Sequence, residues 1–305
     1  MKLNKIIYFS ILGAGLSLGT VSCSDYLDTE PITDRGFEIT DTPYTTASQA
    51  EDLMNTIYND LGNEYWQLDY FFNGDAQTDI AYQGGDNPQN AQQSEYRIIA
   101  TNSNVSRDWD YIYGRINNCN KVLNYVDKIT DPALTAARKQ EMKAEASVMR
   151  AMYYFHAVQL WGDVPLVTQA VLGVTAENFD EIYAQVKPAR KPVSEVYALI
   201  LSDLEGALPN VPASSNKYRA SKGAALALLA QVYATKPNPD YAKVVSYTDQ
   251  LMAQGYSLLP TYDHLFDTAH EANAESIFEI NGNGGSVWWW GTFMFIGTDW
   301  KKFNT

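Results

Sequence analysis

Apolar residues recur at helical spacing along most of the chain. Met142, Ala146, Met149, Tyr153 and Leu160 fall four, three, four and seven residues apart, which places them on one helical face. Gly162 ends that helix and Pro165 forbids its resumption. Trp109, Ile112, Ile116, Cys119, Leu123 and Val126 form a second stripe and predict a helix from Val105 to Ile129. Asp131-Pro132 reads as an N-cap followed by proline at the first helical position, opening the helix that runs to Trp161. Val193, Val196, Ile200, Leu204 and Ala207 line a further helix that ends before Pro209. Ser221 to Ala234 is apolar nearly all round and is expected to be buried on most sides. Asn238-Pro239 opens a helix with Tyr241, Val244, Thr248 and Leu251 on one face and Gly255 at its end. Near the start, Ser48 and Glu51 read as a capping box for a helix to about Leu61.

Helix, turn, helix at this pitch predicts a mainly α fold, a tetratricopeptide-like helix-turn-helix solenoid with loop-rich insertions and little strand. The tetratricopeptide consensus itself is not evident, so this is a reading of architecture. Two stretches break the periodicity. Residues 62–104 are polar and aromatic, with Trp66, Tyr70, Phe71, Phe72, Tyr82, Gly84-Gly85, Asn87-Pro88 and Tyr96. After Gly255, Ser276 to Ile280 reads as a short strand, followed by a Gly/Asn turn and the run VWWWGTFMFIGTDW.

The N-terminus has a different pattern. Lys2 and Lys5 precede an uncharged apolar run from Ile6 to Gly19, too short to span a bilayer, and Thr20-Val21-Ser22 leads into Cys23. Residues 1–22 therefore read as a secretory signal peptide. A cysteine directly after small residues at its end points to lipoprotein processing, although Thr20 stands where such signals usually place Leu. Acyl chains on Cys23 would anchor the protein durably, at ~0.8 kcal/mol per buried methylene. Residues 23–44, with Pro31, Gly36 and Pro43, read as a tether, and 45–305 as the helical domain. Cys119 is the only other cysteine, so lipidation of Cys23 leaves no disulfide. Cys119 sits on an apolar stripe as a small hydrophobe.

Composition narrows the function. At 46% hydrophobic and 19% charged residues the chain is globular, not disordered. The formal charge is −14; removing Lys2 and Lys5 leaves 20 basic against 36 acidic residues, or −16. Such acidity argues against nucleic acid and against docking on an anionic lipid surface.

Candidate chemistry concentrates in the two irregular stretches. A saccharide presents flat CH faces rimmed by hydroxyls, so its site needs aromatic platforms beside amide or charged groups. Asp75 to Asn90 offers Asp79, Tyr82, Gln83, Asp86, Asn87 and Gln89. Val287 to Trp300 offers Trp288, Trp289, Trp290 and Trp300. In an extended run Trp288 and Trp290 would share one face and Trp289 the other. Asp75 and Asp79, four apart, would face one another on a helix and serve glycoside hydrolysis, though such pairs are usually a solvated face. Glu141 and Glu145 share that spacing but are expected to pair with Arg138. The histidines, His156, His264 and His270, form no metal-ligand spacing, and no nucleophile elbow or nucleotide-binding glycine loop occurs. No metal or cofactor is expected.

Six phrases occur in an order that resembles the SusD/RagB family of outer-membrane nutrient-binding lipoproteins. They are Ser22 to Pro31, Trp109 to Val126 with Ile116-Asn117-Asn118-Cys119-Asn120-Lys121, Lys143 to Val167, Arg190 to Leu204, Gly223-Ala224-Ala225, and Glu275 to Ile280. The resemblance implies a non-enzymatic, lipid-anchored protein on the outer membrane. It would capture a glycan, or in RagB-like members a peptide, and deliver it to a SusC-like TonB-dependent transporter. The helices would face that transporter. By order along the chain, Tyr82, Asp86, Asn87, Trp288, Trp289, Trp290 and Trp300 fall where the family carries ligand contacts. Members are longer, so the helical domain is expected to be incomplete on its C-terminal side. A helical glycoside hydrolase and a protein-binding scaffold are the other readings.

Overall fold

The computed structural model describes residues 43–59, 61–81, 87–171, 173, 178–213, 216–266 and 268–280. The chain divides into two units at Asp41, and the described residues all belong to the second, Thr42–Thr305. Cys23, the signal segment and most of the tether lie outside them.

The second unit is helical, as the periodicity predicts. Helix α1 covers Ala47–Tyr58. A π-helical turn, Tyr65–Asp69, runs into the single-turn α2, Tyr70–Asn73. Helix α3 covers Pro88–Ser94, α4 Ser103–Tyr125 and α5 Ala136–Trp161. Strand β1 is Val164–Pro165, α6 Phe179–Val186, and strand β2 Arg190–Lys191. Helices α7 (Val193–Ala207), α8 (Lys222–Thr235) and α9 (Tyr241–Met252) complete the described order. The only ladder among the described residues is the antiparallel pair β1–β2, with Val164 opposite Lys191.

The long helices pack in succession: α4 on α5, α5 on α7, α7 on α8 and α8 on α9, with α1 against α4. The expected stripes form the core. Met142, Ala146, Met149 and Tyr153 are buried, as are Ile112, Ile116, Cys119, Val122 and Val126. Trp109, Leu123 and Leu160 pack at its edge. Each fully buried Ile, Leu or Met contributes about 1.5–3 kcal/mol relative to exposure. Burial also pushes the Cys119 thiol up to about 12, so it stays protonated and unreactive.

Three helix starts differ from expectation, each because another oxygen is better placed. Helix α1 is capped by Thr46 and Gln49: the Gln49 amide donates to Thr46 Oγ1 at 3.2 Å, and Gln49 Oε1 accepts from the Thr46 amide at 3.1 Å. Ser48 and Glu51 lie inside the helix, and Glu51 pairs with Arg138 instead. Helix α5 starts after Thr135, whose hydroxyl accepts from the Arg138 amide. Asp131 is drawn away, accepting the Ala47 amide at 2.8 Å to pin the start of α1. Helix α9 starts after Asp240, while Asn238 takes a left-handed φ of 57° in the preceding turn. Ser276 to Ile280 forms no strand; its Glu279 amide donates to the Lys217 carbonyl at 2.8 Å.

Two polar clusters lie in the core. Arg150 grips Asp203 with Nε at 2.8 Å and Nη2 at 2.7 Å, and donates Nη1 to Asn120. Glu145, also buried, is held by Arg138, Arg219 and the Tyr58 hydroxyl. Each charge is paired, which burial requires. Arg138 also meets Glu141, as its spacing predicts.

Candidate ligand-binding site

The polar-aromatic stretch after α1 folds against the C-terminal turns of α5 and leaves a concavity of about 360 Å³. It is lined by Tyr65, Tyr70, Asn73, Gly74, Asp75, His156, Gln159 and Leu160. The π-helical turn is the local device that builds it. Such turns insert a residue into a helix and re-aim side chains. Here Tyr65 points into the core, stacked on Tyr111 at 5.3 Å, while Tyr70 is left 53% exposed at the rim. Trp66 stands edge-on to His156 at 4.9 Å and donates its indole N–H to the Tyr111 hydroxyl at 3.0 Å. Tyr70 meets the same imidazole at 5.4 Å. The result is an aromatic wall with one open ring.

His156 is fixed from the inside. Its Nδ1 lies 3.0 Å from the Tyr65 hydroxyl. Burial holds its pKa down to about 4, so the ring is neutral at neutral pH. The Tyr65 phenol is pushed up by burial and by the nearby Asp108.

A buried polar network backs the opposite wall. Asn73 donates to Asp108 at 2.7 Å and accepts from the Gln93 amide at 2.8 Å. Gln93 in turn accepts from Asn104, and Asn102 holds α3 through the Gln89 carbonyl and Gln92. Asp69 and Asp108 are both almost fully buried and interact directly. Burial, with the neighbouring Asp108 carboxylate, raises Asp69 to about 7, and burial raises Asp108 as well. Arg107 offsets part of this, reaching Asp69 at 2.6 Å and Glu64 at 3.4 Å.

Asn87 caps α3. Its Oδ1 accepts from the amides of Gln89 at 2.9 Å and Asn90 at 3.3 Å, while the residue itself is exposed. The other expected contacts, Tyr82, Asp86, Trp288, Trp289, Trp290 and Trp300, lie outside the described residues. Asp75 begins a 3₁₀ turn that ends at Gln77, so helical spacing does not carry through to Asp79. His264 and His270 stack at 3.8 Å on two short turns. Sequence reasoning missed Tyr65, Tyr70, Asn73, His156 and Gln159 as site residues. The only available signal was the aromatic-polar texture of 62–104; nothing in sequence ties it to α5.

A second concavity, about 260 Å³, lies between α5 and α8 and is mainly apolar, with Met149, Met152, Phe155, Ala224, Leu228 and Phe278 among its walls. Among the described residues no group of three or more His, Cys, Asp and Glu could hold a metal ion. No described helix is long and apolar enough to cross a membrane.

Comparison with known proteins decides the family. A SusD-like family model, described as starch-binding and associating with the outer membrane, matches residues 25–234. The chain belongs to the SusD-like family. A SusD-like protein of Bacteroides ovatus is 28% identical over 270 residues, covering 85% of this chain and 47% of that protein. SusD-like protein P38 of Formosa agariphila is 30% identical over 236 residues, covering 75% and 42%. Among solved structures, a laminarin-binding SusD-like protein superposes with a TM-score of 0.63 at 24% identity, covering 77% of this chain and 51% of that one. A structure with xylogluco-oligosaccharide gives a TM-score of 0.60 at 25% identity, covering 76% and 46%. This SusD-like chain thus spans about half the length of the curated relatives it matches.

Proposed function

We propose that the protein is a non-enzymatic cell-surface lipoprotein that captures oligosaccharide and delivers it to a SusC-like TonB-dependent transporter in the outer membrane. The observation that carries the reading is the half-exposed Tyr70 ring, set on a rigid aromatic wall above a concavity of amide and hydroxyl groups. A pyranose face stacks on such a ring while its hydroxyls meet Asn73, Asp75 and Gln159. The similarity to a laminarin-binding protein and to a structure with xylogluco-oligosaccharide supports a glycan as ligand. Lipid on Cys23 supplies the anchor, and the acidic surface suits solubility. Asp75 and Asp79 do not form a helical carboxylate pair, which favours binding over hydrolysis.

Isothermal titration of the full-length protein against a glycan panel tests this. At least one oligosaccharide should bind, and Tyr70→Ala should weaken it about tenfold, as expected for an aromatic contact of about 1.4 kcal/mol. Binding of peptides and of no glycan would replace this reading with a RagB-like peptide carrier. Release of reducing ends from a polysaccharide would replace it with an enzyme.

A further inference from the structure

The lining of the concavity has a charge bias that its shape does not require. Among its described lining residues there is one carboxylate, Asp75, and neither Lys nor Arg. His156 is the only lining group that could become cationic, and its burial keeps it neutral at neutral pH. Behind the Asn73 wall, the Arg107 guanidinium is already shared between Asp69 at 2.6 Å and Glu64 at 3.4 Å. The bias extends along the sequence. Residues 36–96, which include the π-helical turn and the loop after it, contain eleven Asp and Glu and no Lys, Arg or His.

Recognition of a carboxylate or sulfate ester needs a guanidinium or ammonium, best a bidentate Arg fork. An anion brought into a partly desolvated cleft beside Asp75 without one meets repulsion and loses its water. An uncharged sugar meets neither cost, because carboxylates and amides accept its hydroxyl protons. We propose that this site takes uncharged oligosaccharides and rejects uronic-acid and sulfate-ester glycans. The inference rests on the glycan-binding reading above and narrows it to a substrate class.

The test is a titration of the full-length protein with size-matched oligosaccharides. The neutral set is laminari-, cello-, xyloglucan- and manno-oligosaccharides; the anionic set is oligogalacturonate, oligoalginate and a sulfated galactan oligomer. Both are run with EDTA and again with excess calcium. At least one neutral oligosaccharide should bind, and every anionic one at least about tenfold more weakly, the gap narrowing as salt is raised. Asp75→Asn combined with Asp79→Asn should shrink the ratio of neutral to anionic affinity. An anionic glycan bound as tightly as the best neutral one, with or without calcium, overturns the inference and leaves glycan binding intact. A ratio unchanged in the double variant overturns its electrostatic basis. Failure of both sets to bind would instead sink the glycan reading itself.

Discussion

A buried and a half-buried titratable residue at the site, Asp69 and His156, work against each other. Asp69 has its pKa raised from 3.8 to about 7, so the folded protein holds a proton that the unfolded chain releases. Its contribution to stability is complete below pH 3.8 and is lost as pH rises towards 7. His156 has its pKa lowered from 6.5 to about 4, so the unfolded chain takes up a proton that the folded protein refuses. That contribution is complete above pH 6.5 and is lost as pH falls towards 4. Over the same window the two slopes oppose. Asp69→Asn should therefore leave a protein whose urea midpoint climbs more steeply from pH 4 to 6.5, and His156→Gln one whose midpoint falls as pH rises. Parallel profiles for wild type and both variants would show that neither group changes its protonation on folding. The sequence marks both residues as ionisable but not as buried, because their partners Asp108 and Tyr65 are 39 and 91 positions away.

At the scale of elements, the asparagines after Ile116 show how a motif can be a clamp. Asn117 donates to the Val171 carbonyl at 3.1 Å and accepts its amide at 2.9 Å. Asn124 donates to Thr168 and accepts the Ala170 amide, and Asn120 donates to Val167. Three side chains on one face of α4 thus serve as a strand partner for the extended chain at 167–171. Asn117→Ala should cost about 1–3 kcal/mol in urea unfolding, because it strands both backbone groups of Val171. It should also speed hydrogen exchange there; a loss under about 0.5 kcal/mol would mean that water substitutes for the amide. The Trp161-Gly162-Asp163-Val164-Pro165 stop has a second task as well. Gly162 takes φ 67° and ψ −119°, a backbone that side chains resist. Asp163 Oδ1 then accepts the Val193 amide at 2.9 Å, capping α7 from thirty residues away. The end of one helix is legible in the sequence; its use as the start of another is not. The same limit explains the misplaced caps of α1, α5 and α9, where several polar residues lie within a few positions and tertiary partners choose among them.

For the whole molecule, the anchoring prediction is direct. Cys23→Ala protein should leave the membrane fraction, and its retention there would exclude a lipid on Cys23 as the sole anchor. By itself, the sequence determined the helical class, the stripes that become the core, and the family. All three are encoded by local periodicity or by ordered phrases, which need no knowledge of what packs against what. Only the tertiary structure decided the site. Tyr65, Tyr70 and Asn73 share one short stretch, but His156 lies more than eighty positions further along the chain, and each is unremarkable alone. They become a concavity because a π-helical turn re-aims two tyrosines just where α5 presents an imidazole that burial keeps neutral.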